Sequence, residues 1–179
     1  QQLEIVGKEA FTKDNKTDMK VQLQKLQSAG ADLVFLPIYY SEASTILKQA
    51  AEIGYQPTFY GCDGMDGILN VENFDGSLAE GLMFLTPFIT TSQDQKTQDF
   101  VKKYQEKYND VPTQFAADAY DSVYAVYEAC KQANATSDMS AQDLCEALKK
   151  AMTEISIEGL TGKSISWEES GEPNKTPLV

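Results

Sequence analysis

The chain contains no histidine, and that absence removes more functions than any motif in it adds. Histidine is the commonest general base and metal ligand, so Ser-His-Asp and Cys-His mechanisms are excluded. Positive charge is also scarce. Fifteen Lys and Arg stand against 27 Asp and Glu, a net charge of −12. Such a surface repels the phosphates of nucleic acids and of anionic membranes, so neither is an expected partner. The three cysteines, Cys62, Cys130 and Cys145, show neither CxxC spacing nor a metal pattern. Cys130 and Cys145 fall on the apolar faces of predicted helices, where cysteine acts as a small hydrophobe. An oxidising compartment would also permit a disulfide between them, leaving Cys62 over. No apolar run approaches the ~18–20 residues of a membrane helix. There is no GxGxxG and no GxxxxGK[ST] to cradle phosphates. No cofactor or metal is implied.

What remains has the composition of an ordinary folded domain, with 42% apolar and 23% charged residues in 179 positions. That length suits one domain or two small ones. The chain opens on QQLEIVGKEAF without a recognisable signal peptide; a mature or truncated protein opens the same way, so export is left open.

Hydrophobic patterning predicts an α/β fold. A strand is expected over 3–10, a helix over 18–29 stopped by Gly30, and a strand over 32–37. A second helix over 42–53 follows Ser41 as N-cap and stops at Gly54, and a short strand covers 58–60. The continuous apolar run at 32–36 marks a strand covered on both faces, hence a parallel sheet. The three strands are expected in that one sheet, with the two helices as right-handed crossovers. A strand-like run at 81–87 follows. Three helices come next, over 97–108, 115–132 and 141–152, the last capped by Ser140 with Asp143 as capping-box partner. A short strand at 163–167 and a turn at 169–173 close the chain. The helix over 115–132 is apolar on almost all sides. Phe115, Ala119, Val123, Val126, Tyr127 and Cys130 form one line, and Ala116, Tyr120 and Tyr124 another. Such a helix is expected to be buried.

Ligands of parallel sheets sit at the carboxyl ends of the strands. Tyr39 and Tyr40 fall just past one strand end, and Asp63 and Asp66 just past another. Asp63 lies between Gly61 and Gly64, which add no bulk and let the backbone approach a ligand closely. The same Asp63-Gly64 pair is also a plain turn signal. Asp66 either extends the acidic turn or is a solvated loop charge. Phe115 and Tyr120 are candidates for cleft lining or for core packing. A carboxylate-based hydrolase using Asp63 and Asp66 lacks an accompanying nucleophile–base pair.

Five pieces in order, VFLPIYYSE (34–42), GCDGMDG (61–67), EGLMFLTPF (80–88), FAADAYDSVY (115–124) and EGLTGKSISWEESGEP (158–173), resemble a known family. They are similar to the type I periplasmic binding proteins of amino-acid ABC transporters, the leucine/isoleucine/valine-binding receptors. The resemblance implies a non-enzymatic extracellular or periplasmic receptor that closes two lobes on an amino acid and delivers it to a permease. A lipid anchor is one form the full-length protein could take. The resemblance further implies the carboxyl-terminal part of a larger receptor, both lobes incomplete. Residues 1–78 and 155–179 are assigned to the carboxyl-terminal lobe, and 79–154 to the strand and helices of the amino-terminal one. Asp63 matches the acidic position that holds the ligand's ammonium, here Asp where some relatives use Glu. Tyr39 matches the aromatic that closes over the ligand, and Tyr40 could exchange roles with it. The donors for the ligand's carboxylate come from first-lobe serines and threonines with no counterpart here. Left without that lobe, the helices over 97–152 would expose apolar faces and favour self-association. The ligand domain of a sensory receptor shares this fold and is the alternative; a small hydrolase-like α/β enzyme is a further one.

Overall fold

The apolar run at 32–37 becomes strand β1 (Leu33–Leu36) in a computed structural model that describes residues 3–175. It pairs in parallel with β2 (Thr58–Gly61), Leu33 opposite Thr58 and Leu36 opposite Gly61. β2 pairs in turn with β3 (Met83–Phe84), also in parallel, giving the order β1-β2-β3. Between the strands lie α1 (Lys20–Ser28) and α2 (Tyr40–Glu52). Their apolar stripes bury one face of the sheet. Met19, Leu23, Ile46 and Leu47 pack with Val34 and Leu36 in a single core. The other face stays open, with Phe35 56% exposed. The strand is therefore half-buried and not covered on both sides; each of its residues alternates with the pleat.

Both helices end as their glycines predict. Gly30 and Gly54 take left-handed angles (φ 76° and 69°), which glycine adopts without a Cβ penalty. The start of α2 differs from expectation. Tyr39, extended at φ −87° and ψ 161°, is the N-cap, while Ser41 lies in the first turn and donates its hydroxyl to Glu42. The helix thus begins two residues earlier, and Tyr40 is its first residue.

The strand expected over 3–10 does not join the sheet. These residues run without strand pairing, held to α1 by a Lys25–Glu9 ion pair of 3.2 Å and a Gln22 amide donating to the Ala10 carbonyl. A cleft of about 1010 Å³ separates the segment from α1 and β1. Gly7 also packs close to Leu26 of α1, but the backbone ladder that would offset the segment's ordering entropy is not formed.

The chain divides into two compact units between Leu85 and Thr86. In the second, α3 (Gln95–Tyr108) is capped by Asp94, which accepts the Thr97 amide at 2.9 Å. α4 (Gln114–Gln132) and α5 (Ala141–Met152) follow, the latter capped by Ser140 as expected. An antiparallel sheet of β4 (Ser156–Ile157), β5 (Ile165–Trp167) and β6 (Pro173–Lys175) completes the unit. Ile157 and Ile165 pack on Ala125 of α4. Residues 156–175 pack within the unit of α3–α5, where α4 supplies core residues and the Asp121 hydrogen-bond acceptor.

The buried face of α4 is not either of the lines the sequence pointed to. It is Ala117, Asp121, Ala125 and Ala129, spaced four apart, while Val123 is 68% exposed and Tyr124, Val126 and Tyr127 are exposed with it. Small side chains let α4 approach α5 and the hairpin closely. Inside this face Asp121, 6% exposed, accepts the amides of Leu160 (2.7 Å) and Thr161 (2.9 Å) and the Thr161 hydroxyl (2.7 Å).

Candidate functional site

β1 and β2 end in register, Leu36 beside Gly61, so the segments leaving them emerge side by side. One carries Ile38 and Tyr39 into α2; the other enters a short 3-10 turn, Asp63–Met65. The turn is braced by Met65 and Asp66 amides donating to the Cys62 and Asp63 carbonyls at 3.0 and 3.1 Å. Met65, fully buried, anchors it in the core. Gly64 is buried and packs against the other segment. A Cβ built there would lie 2.6 Å from the Ile38 carbonyl oxygen and 3.4 Å from the Tyr39 Cα. This contact places the Asp63 turn directly against the backbone of Tyr39.

Tyr39 is 64% exposed and Asp63 is exposed, so both are open to solvent at the carboxyl ends of the strands. Tyr40 is 36% exposed in the first turn of α2. Asp66 is half-buried at the end of the 3-10 turn, ahead of Gly67 in a left-handed conformation (φ 96°). Nearby, Glu42 is paired with Lys16 at 2.7 Å. The Lys16 hydrogen bond, helped by that of Ser41, holds its carboxyl below the usual glutamate range. Asp63, Asp66, Tyr39 and Tyr40 stand at the same strand mouth. A carboxylate beside an aromatic face is suited to an ammonium group, by charge-assisted hydrogen bonding and cation–π contact. The large cleft under residues 3–11 is a separate feature, and neither Tyr39 nor Asp63 lines it.

In the second unit Tyr120 is half-buried against the Phe88, Ala117 and Leu160 cluster, its ring 5.1 Å from Phe100. It is part of a core. Phe115 is at the exposed edge of α4. All three cysteines are free, Cys145 being exposed. Sequence reasoning missed Met65 and Ile38, the residues that hold the turn in place. A buried methionine inside a Gly/Asp-rich turn was the available signal.

The chain belongs to the periplasmic binding protein family, whose model matches residues 1–177. That family consists of solute receptors without enzymatic activity. Among relatives, the leucine-, isoleucine-, valine-, threonine- and alanine-binding protein of Pseudomonas aeruginosa is 24% identical over 155 residues, 87% of this chain and 39% of that protein. A Leu/Ile/Val-binding protein homolog of Brucella abortus is 27% identical over 150 residues, 80% of this chain and 36% of that one. Among solved structures, the branched-chain amino acid transporter substrate binding protein of Streptococcus pneumoniae, in complex with isoleucine, is 26% identical with a TM-score of 0.69. The match covers 94% of this chain and 51% of that one. A leucine binding protein of Thermotoga maritima, 24% identical, also gives 0.69, covering 94% and 46%. The chain therefore spans about half or less of the length of the relatives it matches. Among the described residues no helix is long and apolar enough to cross a membrane.

Proposed function

We propose that this chain is the carboxyl-terminal portion of a periplasmic or extracellular receptor that binds a small amino acid, of branched-chain type or similar, for an ABC importer. The observation that carries the reading is the packing of Gly64 on the backbone of Ile38 and Tyr39, which brings together at the strand ends the two segments that carry Tyr39 and Asp63, both exposed. Asp63 takes the ligand's ammonium, and Tyr39 covers it. Tyr40 and Asp66 border the same mouth. The names of the relatives support the ligand class, the Streptococcus pneumoniae receptor being seen with isoleucine. The permease is the partner that this class of receptor serves. Apolar side chains left exposed on α4 (Val123, Val126 and Tyr127) and on the open sheet face favour self-association of this chain alone.

Titration calorimetry of the full-length receptor tests the reading. The standard L-amino acids are compared with N-acetyl-leucine and with the 2-keto acid of leucine, which lack the ammonium. Binding of leucine, isoleucine or valine with at least tenfold loss for both analogues is the expected result. Equal binding of the analogues would remove the role given to Asp63.

A further inference from the structure

We propose that Gly64 is a positioning residue for this site: the missing side chain sets how closely the Asp63 carboxylate stands to the Tyr39 ring. The proposal rests on the amino-acid reading of the site given above.

Glycine is not needed at 64 for its backbone conformation. Five described glycines, Gly30, Gly54, Gly67, Gly81 and Gly171, have left-handed φ angles, and Gly64 is not among them. Space is what requires it. An added Cβ would sit 2.6 Å from the Ile38 carbonyl oxygen and 3.2 Å from its carbon. These are backbone atoms of the short link between β1 and α2, and they cannot rotate out of the way as a side chain does. The other close approaches in this unit differ in kind. A Cβ on Gly61 would meet the Met65 side chain, and one on Gly7 the Leu26 side chain.

An alanine at 64 must therefore push two backbone segments apart, from 2.6 Å toward the 3.4 Å at which ordinary contact begins. The turn cannot absorb this internally. Its two backbone hydrogen bonds, donated to the Cys62 and Asp63 carbonyls, fix its shape, and buried Met65 pins its far side. The displacement passes to Asp63, the adjoining residue, and to Tyr39, whose Cα is the third atom in contact. A carboxylate and a ring that must both touch one small ligand lose complementarity when their separation changes.

The test is a double-mutant cycle in the full-length receptor. Wild type, Asp63→Ala, Gly64→Ala and the double variant are titrated with whichever standard L-amino acid binds wild type most tightly. Thermal unfolding is recorded for each. Gly64→Ala is expected to weaken binding at least tenfold. In the Asp63→Ala background the same change should weaken it no more than twofold, because the carboxylate whose separation from the Tyr39 ring Gly64 sets is gone. A role confined to stability would give equal losses in both backgrounds, and that result overturns the proposal. So does unchanged affinity of Gly64→Ala. If Asp63→Ala itself binds normally, the site reading fails and the positioning role falls with it, an outcome distinct from the other two. Met65→Ala removes the support under the turn without adding bulk against Ile38. It should show the same dependence on Asp63, and it decides the matter if Gly64→Ala does not fold.

Discussion

Asp121 carries the sharpest stability prediction in the second unit. Its carboxylate is buried on α4 and accepts three hydrogen bonds from Leu160 and Thr161 at 2.7–2.9 Å. Gly159 is packed so closely that a Cβ there would lie 2.4 Å from Asp121 Oδ2. Hydrogen bonds to a charged group contribute about 1.5–3 kcal/mol each, and an orphaned buried donor costs about 1–3 kcal/mol. Removing one acceptor that serves three donors is not additive, since the loop relaxes once the first bond is lost. The combined loss for Asp121→Ala is expected near ~3–5 kcal/mol, the scale of breaking a buried charged network. Asp121→Asn keeps the shape and one acceptor oxygen but turns an amide toward a donor, so about 1.5–3 kcal/mol is expected. Urea unfolding followed by the fluorescence of Trp167, the single tryptophan and a residue of β5, reads this unit directly. Wild-type domains have only about 5–15 kcal/mol in hand, so both shifts are large. An Asp121→Ala midpoint corresponding to less than ~0.5 kcal/mol of destabilisation would refute the tie between α4 and the hairpin.

Two further expectations concern pH. Glu42 has its folded pKa depressed from 4.5 by Lys16 and Ser41, so the stability it contributes is full above that value and is lost as pH falls through the folded pKa. Lys16→Met should flatten the acid limb of the stability–pH curve below about pH 4.5; an unchanged limb would count against the pair. Tyr120 is pushed up to about 12 by the hydrogen bond with Tyr124 and by burial. Its contribution is present below pH 10 and lost between 10 and 12, and Tyr124→Phe should move its ultraviolet ionisation back toward the ordinary range. A titration midpoint that does not move in the Tyr124→Phe protein would contradict that coupling.

The elements with strong local signals were legible in the sequence. α5 with its Ser140 cap, and the glycine stops at Gly30 and Gly54, came from chemistry that acts within a few residues. The parallel pairing of β1 and β2 followed from the apolar run and the length of the connection. The start of α2 was misplaced because a good capping residue, Ser41, lies beside a Tyr39 that caps by backbone geometry alone. The segment over 3–10 has strand-like composition, yet pairing depends on a neighbouring edge that no local pattern encodes. On α4 the large apolar residues drew attention, whereas its buried residues are three alanines, Gln114 and Asp121. Size and hydrophobicity cannot show which side of a helix meets the hairpin when small residues allow the closer approach. For the site, the strand-end positions of Tyr39 and Asp63 could be read from spacing. The contact that joins them, Gly64 on Ile38, is a distance between segments some 25 residues apart, and only the fold supplies it.

The central claim is that Asp63 holds the ammonium of an amino-acid ligand. Calorimetric titration of the full-length receptor and its Asp63→Ala variant, with the amino acid that wild type binds most tightly, tests it most directly. Loss of a charge-assisted hydrogen bond predicts a weakening of about 1.5–3 kcal/mol, roughly 10- to 150-fold in Kd. An Asp63→Ala receptor that binds the amino acid with wild-type affinity would contradict the account.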